Sequence, residues 1–185
     1  VWPEDADGRP LNFGFETGTL KDWTAEGEAF RNQPIRGEAK SGHTGSWWVS
    51  SGRNGGDAAT GTLTSVPFKL SHRWISYSVS GGSGPKTRVE VVRARDGVVL
   101  EKFSGLGPEP LSPLAFDLTH EIGETIFVRL VDETAEPGGH LNFDHLRFHE
   151  IEPKTKNLRN LNPALPPATF LPEGLPAEEA AKAMP

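Results

Sequence analysis

The sequence predicts an all-β protein, an antiparallel β-sandwich followed by a Pro-rich C-terminal extension. Three observations carry this. Glycine and proline are frequent, 21 and 16 in 185 residues, and they punctuate short apolar stretches into many turns. Strict alternation appears in several segments: over 74–80, Ile75, Tyr77 and Val79 face one way while Ser76, Ser78 and Ser80 face the other. Helical periodicity is missing before the tail.

The elements follow in order. Residues 1–10 are expected as an N-terminal extension, 11–149 as the sandwich, and 150–185 as a linker toward a further domain downstream. The segment 11–18 reads as a first strand, with Phe13 and Phe15 on one side and Asn12, Gly14 and Glu16 on the other. Lys21-Asp22-Trp23 turns into a short edge segment at Thr24-Ala25, which Gly27 ends. Residues 31–45 are polar and Gly-punctuated, and strand character resumes at 47–51. Further strands are expected at 60–70, 74–80, 88–94, 98–103, 114–118, 126–131 and 141–149. The repeated prolines around Asn162-Pro163-Ala164-Leu165-Pro166-Pro167 suit an extended linker, and 177–184 could begin a short helix. The chain opens on Val1 without a methionine or targeting segment, so it is expected to be a piece of something longer.

Composition excludes several functions. The net charge of -6 opposes phosphate recognition, so nucleic acid is not an expected partner. No run approaches the roughly 18 apolar residues of a membrane helix, so membrane insertion is not expected. Cysteine is absent, which removes disulfides, thiolate metal sites, cysteine nucleophiles and haem attachment from these residues.

If each turn reverses the chain, the loops 52–58, 81–87, 104–113 and 132–140 all fall at one end, opposite short turns. Their residues include Arg53, Asn54, Asp57, Gly81, Gly82, Ser83, Lys86, Asp132, Glu133 and His140, behind Gly138 and Gly139. Such a polar, glycine-opened surface suits sugars, whose hydroxyls need planar donors and acceptors with rings beneath their C–H faces. His140, Asp132 and Asp57 are candidates to orient a sugar, although aspartates also brace loops through backbone hydrogen bonds. Trp47 and Trp48 are adjacent and so point to opposite faces, leaving one of them for the core and the other for stacking or a domain contact.

Two segments rhyme, Leu11-Asn12-Phe13-Gly14-Phe15-Glu16-Thr17-Gly18 and Leu141-Asn142-Phe143-Asp144-His145-Leu146-Arg147-Phe148. Each sets a carboxylate among apolar neighbours. A buried carboxylate needs a cation or a full set of hydrogen bonds, so Glu16 and Asp144 are the candidate metal ligands, the alternative being a pair of turn caps.

Phe15-Glu16-Thr17-Gly18 with Trp23, and Asn142-Phe143-Asp144, resemble the galactose-binding-like jelly rolls among carbohydrate-binding modules. A closer likeness runs through Ala59-Thr60-Gly61-Thr62-Leu63-Thr64-Ser65, Gly81-Gly82-Ser83, Arg129-Leu130-Val131-Asp132 and Gly139-His140-Leu141-Asn142-Phe143-Asp144-His145. It is similar to the module appended to some fructan-degrading glycoside hydrolases and to the large c-type cytochrome proteins of planctomycetes. The resemblance covers roughly 11–149. The tail from Glu173 to Met184 is similar to the segment leading into the dehydrogenase-like propeller of those cytochrome proteins.

The resemblance implies a jelly roll, a structural calcium on Glu16 and Asp144, a carbohydrate ligand, and an exported, extracytoplasmic parent. Such modules often carry Trp just before Gly-His in the last loop. Here that residue is Gly138, so either the ligand differs, another aromatic such as Trp47 or Trp48 supplies the platform, or the site no longer binds sugar. The expected ligand-binding residues are Arg53, Asn54, Asp57, Trp48, Ser83, Asp132 and His140. Catalysis is not expected: Glu90, Glu101, Asp132 and Glu133 show no spacing that singles out a glycosidase pair, and no nucleophile or phosphate-loop signature is present. The competing reading is a structural or protein-docking sandwich without sugar binding.

Overall fold

The computed structural model describes residues 1–53, 55–105, 107 and 110–155. Alternating apolar residues fold these into β1 (Trp23–Gly27), β2 (Ile35–Arg36), β3 (Trp47–Ser50), β4 (Gly61–Ser65), β5 (Phe68–Lys69), β6 (Trp74–Gly81), β7 (Thr87–Arg93), β8 (Val99–Phe103), β9 (Ser112–Asp117), β10 (Thr125–Asp132) and β11 (Leu141–His149). One sheet runs β1-β4-β10-β7-β8, with β5 also on β10, and the other runs β2-β3-β11-β6-β9. Every pairing between them is antiparallel. The chain changes sheet repeatedly, which makes the pair a jelly-roll sandwich, as expected.

The core lies between the sheets. Ile75, Tyr77 and Val79 of β6 meet Ile126, Val128 and Leu130 of β10, and Phe143 of β11 sits at the centre. The Phe143 ring lies 5.4 Å from Tyr77, 5.9 Å from Trp23 and 6.3 Å from Phe15, centroid to centroid. Full burial of one such side chain contributes about 1.5–3 kcal/mol, which is why β11 holds its register between β3 and β6.

The start of the chain departs from expectation. Residues 11–18 form turns, not a strand, because Phe15 and Gly18 take left-handed backbone conformations, φ 56° and 68°. Both phenylalanines are nevertheless fully buried. Asn12 braces the turns: its side-chain nitrogen donates to Thr19 O at 2.9 Å and its oxygen accepts from Thr17 N at 3.3 Å. Residues 1–10 lie against the sandwich, with Phe148 N donating to Val1 O at 2.8 Å, Leu11 N to Pro3 O at 2.9 Å, and Trp2 packed on the core. The expected strand 60–70 divides into β4 and β5, separated by Val66 and Pro67, since proline has no N–H to give the ladder. The 177–184 helix and the Pro-rich stretch lie outside the described residues.

The four long loops do gather at one end. Gly82 N donates to His140 O at 2.6 Å, Gly107 N to Gly81 O at 2.7 Å, Ser104 Oγ to Gly84 O at 2.9 Å, and Gly138 N to Asp57 Oδ2 at 2.6 Å. Gly81, at φ 107°, has to be glycine here, because a Cβ would run into the His140 carbonyl.

Candidate functional site

Where β3 ends and β11 begins, two backbone-directed bonds tie the loops: Ser51 N donates to Leu141 O at 3.0 Å, and Leu141 N to Ser51 Oγ at 2.8 Å. They place Ser50 and His140 side by side at the loop end. A hollow of about 260 Å³ opens there, lined by Ser50, Gly52, Arg53, Asp57 and His140. The imidazole rests over Gly52, where an added Cβ would stand 2.7 Å from His140 Cβ. His140 Nδ1 is 3.3 Å from Asp57 Oδ1, while Asp57 Oδ2 is taken by the Gly138 amide. Arg53 reaches out to Glu38 at 2.8 Å.

Two buried oxygens give the site its chemical pull. Ser50 is 1% exposed, its amide bonded to Gln33 Oε1 at 3.0 Å, yet its hydroxyl has no hydrogen-bond partner among the described residues. Asp132, at the end of β10, is equally buried; Oδ1 accepts from Thr134 N at 3.3 Å and Oδ2 has no hydrogen-bond partner among the described residues. Burial raises the Asp132 pKa, the Ser51 hydroxyl and the His140 charge pull the other way, and the Asp57 charge adds to the rise. Buried polar atoms are nearly always satisfied, so the Ser50 hydroxyl and Asp132 Oδ2 stand out beside the hollow. Ser50, His140 and Asp57 are residue types of a hydrolytic triad, but the Ser50 hydroxyl is buried and makes no hydrogen bond to His140 among the described residues.

Of the residues singled out from sequence, Arg53, Asp57 and His140 line this hollow and Asp132 interacts with the last two from behind. Ser83 is exposed and lines a neighbouring hollow of about 330 Å³, together with Gly82, Lys86, Thr134, Pro137 and Gly138. Asn54 lies outside the described residues. Trp48 is a correction: it is fully buried, its Nε1 donating to Gly37 O at 3.0 Å and its ring stacked on His43 with centroids 6.1 Å apart, so it offers no face to a sugar. Trp47 turns to the core side and packs over Gly18, with Arg36 5.9 Å from its ring. Sequence reasoning missed Ser50; the signal was the alternation Trp47/Val49 against Trp48/Ser50, which puts its hydroxyl on the outer face opposite Asn142.

The Glu16 and Asp144 carboxylates converge on residues 44–47. Glu16 accepts from Ser46 N at 2.9 Å and Trp47 N at 3.1 Å, and Gly45, at φ 82°, leaves room for it. Asp144 is fully buried, with Oδ2 accepting from Thr44 N at 2.8 Å and Oδ1 without a hydrogen-bond partner among the described residues. Burial pushes its carboxyl up to about 8, opposed by the Thr44 and His145 amides and reinforced by the Glu16 charge. Among the described residues no group of three or more His, Cys, Asp or Glu is arranged to hold a metal ion, so any cation here would need backbone oxygens as well.

The sandwich belongs to a widely shared fold. The carbohydrate-binding module TmCBM61, solved in complex with β-1,4-galactotriose, matches 75% of this chain and 96% of its own at a TM-score of 0.50 and 17% identity. The K1 cleaved adhesin domain of Lys-gingipain from Porphyromonas gingivalis matches 74% and 96%, at 0.50 and 12%. The C-terminal extracellular domain of Mycobacterium tuberculosis EmbC matches 87% of this chain and 63% of its own, at 0.51 and 16%. These likenesses show the jelly-roll sandwich fold. No family model matches the sequence. The curated protein "Putative glycosyl hydrolase ecdE" of Aspergillus rugulosus is 26% identical over 140 residues, 73% of this chain and a fifth (20%) of that protein's length.

Proposed function

We propose that this chain is a non-catalytic carbohydrate-binding module whose sugar site is the loop-end hollow. One observation carries the reading: the hollow gathers Ser50, Arg53 and Asp57 with His140 of a separate loop at one end of the sandwich. A sugar hydroxyl can donate and accept at once, which is what such a set of neutral and anionic groups needs. The TmCBM61 neighbour, with its bound galactotriose, supports a glycan as the ligand class. The ecdE likeness favours a module appended to a larger glycan-acting protein.

Calcium at Glu16 and Asp144 belongs to the same proposal. The fit rests on Asp144 Oδ1, a buried carboxylate oxygen without a hydrogen-bond partner among the described residues. Bound there, a hard cation would supply the charge that lets Asp144 ionise and would tie residues 44–47 to β11. The likeness of loop and tail segments to cytochrome-linked proteins supports the wider reading, an exported, extracytoplasmic multidomain parent with a further domain after this one.

Glycan-array and affinity-gel screening against plant and algal polysaccharides tests the sugar site. The expected result is retardation by at least one neutral polysaccharide, weakened about tenfold or more in His140→Ala with the melting temperature retained. Failure to bind any glycan refutes the reading and favours a docking sandwich; turnover of a glycan by the isolated chain would make it an enzyme.

A further inference from the structure

The charges around the loop-end hollow do not balance. Asp57 lines it, and Asp132 stands behind with its Oδ2 unpartnered. Arg53 is the one lysine or arginine among the lining residues, and its guanidinium is drawn off to Glu38 at 2.8 Å. The Gly138 amide satisfies one oxygen of Asp57 but, being neutral, leaves its charge in place. A ring hydroxyl entering the hollow can donate to the Asp57 carboxylate oxygens at its wall. An ionised carboxylate on the ring has no proton to give them, and it meets like charge where protein walls reduce screening.

We propose that the hollow selects neutral sugar rings and rejects uronate rings, with Asp57 setting the selection. This rests on the sugar-binding reading above and adds the chemical class of the ligand. The selection is a matter of charge and not of ring shape: esterifying the uronate restores binding. Asp57 is suited to set it because it borders the hollow directly and, through His140, the ring that meets the ligand. A neutral asparagine in its place could still accept the Gly138 amide, so the loop clasp would survive the substitution.

The test compares methyl β-galactoside, methyl β-glucoside, the corresponding uronates and the uronate methyl esters, by chemical-shift titration of the intact chain. The neutral sugar and the ester are expected to bind within about threefold of each other, and the uronate at least about tenfold more weakly. Raising NaCl to about 0.5 M should narrow that gap, since exposed charge is screened. Asp57→Asn, checked for an unchanged melting temperature, should bring the uronate close to its ester; Asp132→Asn serves as the second variant if Asp57→Asn fails to fold. A uronate that binds as tightly as its ester overturns this inference and leaves the sugar site standing. Failure of every probe to bind overturns both.

Discussion

Asp144 gives the most decisive test of the carboxylate pair. In chelator its carboxyl is held near pH 8 in the folded chain, against an ordinary value of 3.8. Between about pH 4 and pH 8 the unfolded chain has released this proton and the folded chain has kept it. Stability from this group is therefore complete below the ordinary value and is lost as pH rises toward 8. The limiting slope is about 1.4 kcal/mol per pH unit. For a domain of this size 1 kcal/mol moves the melting temperature by about 2–4 °C, so each unit should cost about 3–6 °C. Differential scanning fluorimetry in EDTA from pH 5 to 8, on wild type and Asp144→Asn, measures it. The variant should lack this component of the slope. Added calcium should abolish it in the wild type and raise the melt most at high pH, because the cation then replaces the proton. Parallel wild-type and variant curves in EDTA would refute the buried-acid argument, and curves unmoved by calcium, with no metal by elemental analysis, would refute the cation.

Two further outcomes follow from the packing. Gly45→Ala must hold an alanine at φ 82° and set its methyl against the Glu16 carboxylate, which should cost about 1–3 kcal/mol and show as a lower denaturation midpoint. Trp48→Ala should cost about 3–5 kcal/mol, as expected for a fully buried ring, whereas Trp48→Phe should leave glycan affinity unchanged; a selective loss of binding by Trp48→Phe would restore the stacking role.

From residue 74 onward strands such as β6 and β10 were legible because an uninterrupted alternation anchors them, Ile75-Tyr77-Val79 and Ile126-Val128-Leu130, whose two-residue period has only one half-buried solution. Residues 11–18 carried the same pattern and misled. Phe13 and Phe15 do enter the core, but they do so through a left-handed turn at Phe15 braced by Asn12, and burial alone does not report backbone path. The site was legible where it depends on loop parity: Arg53, Asp57 and His140 were placed together by counting reversals. It was not legible where it depends on cover. Whether Trp48 stacks on a sugar or lies buried depends on residues 37–43 folding over it, and that polar, Gly-rich segment has no periodicity to read.

The sequence by itself determined the all-β sandwich, the order of most strands and the end at which the long loops meet, because these follow from local alternation and chain reversal. Tertiary structure alone decided which oxygens are left unsatisfied. Ser50 and Asp144 become telling only once neighbouring strands and the 37–46 segment bury them, and the Asp57 to His140 pairing only once four loops from both sheets converge. Burial and partner choice are sums over residues distant in sequence, and no short pattern encodes them.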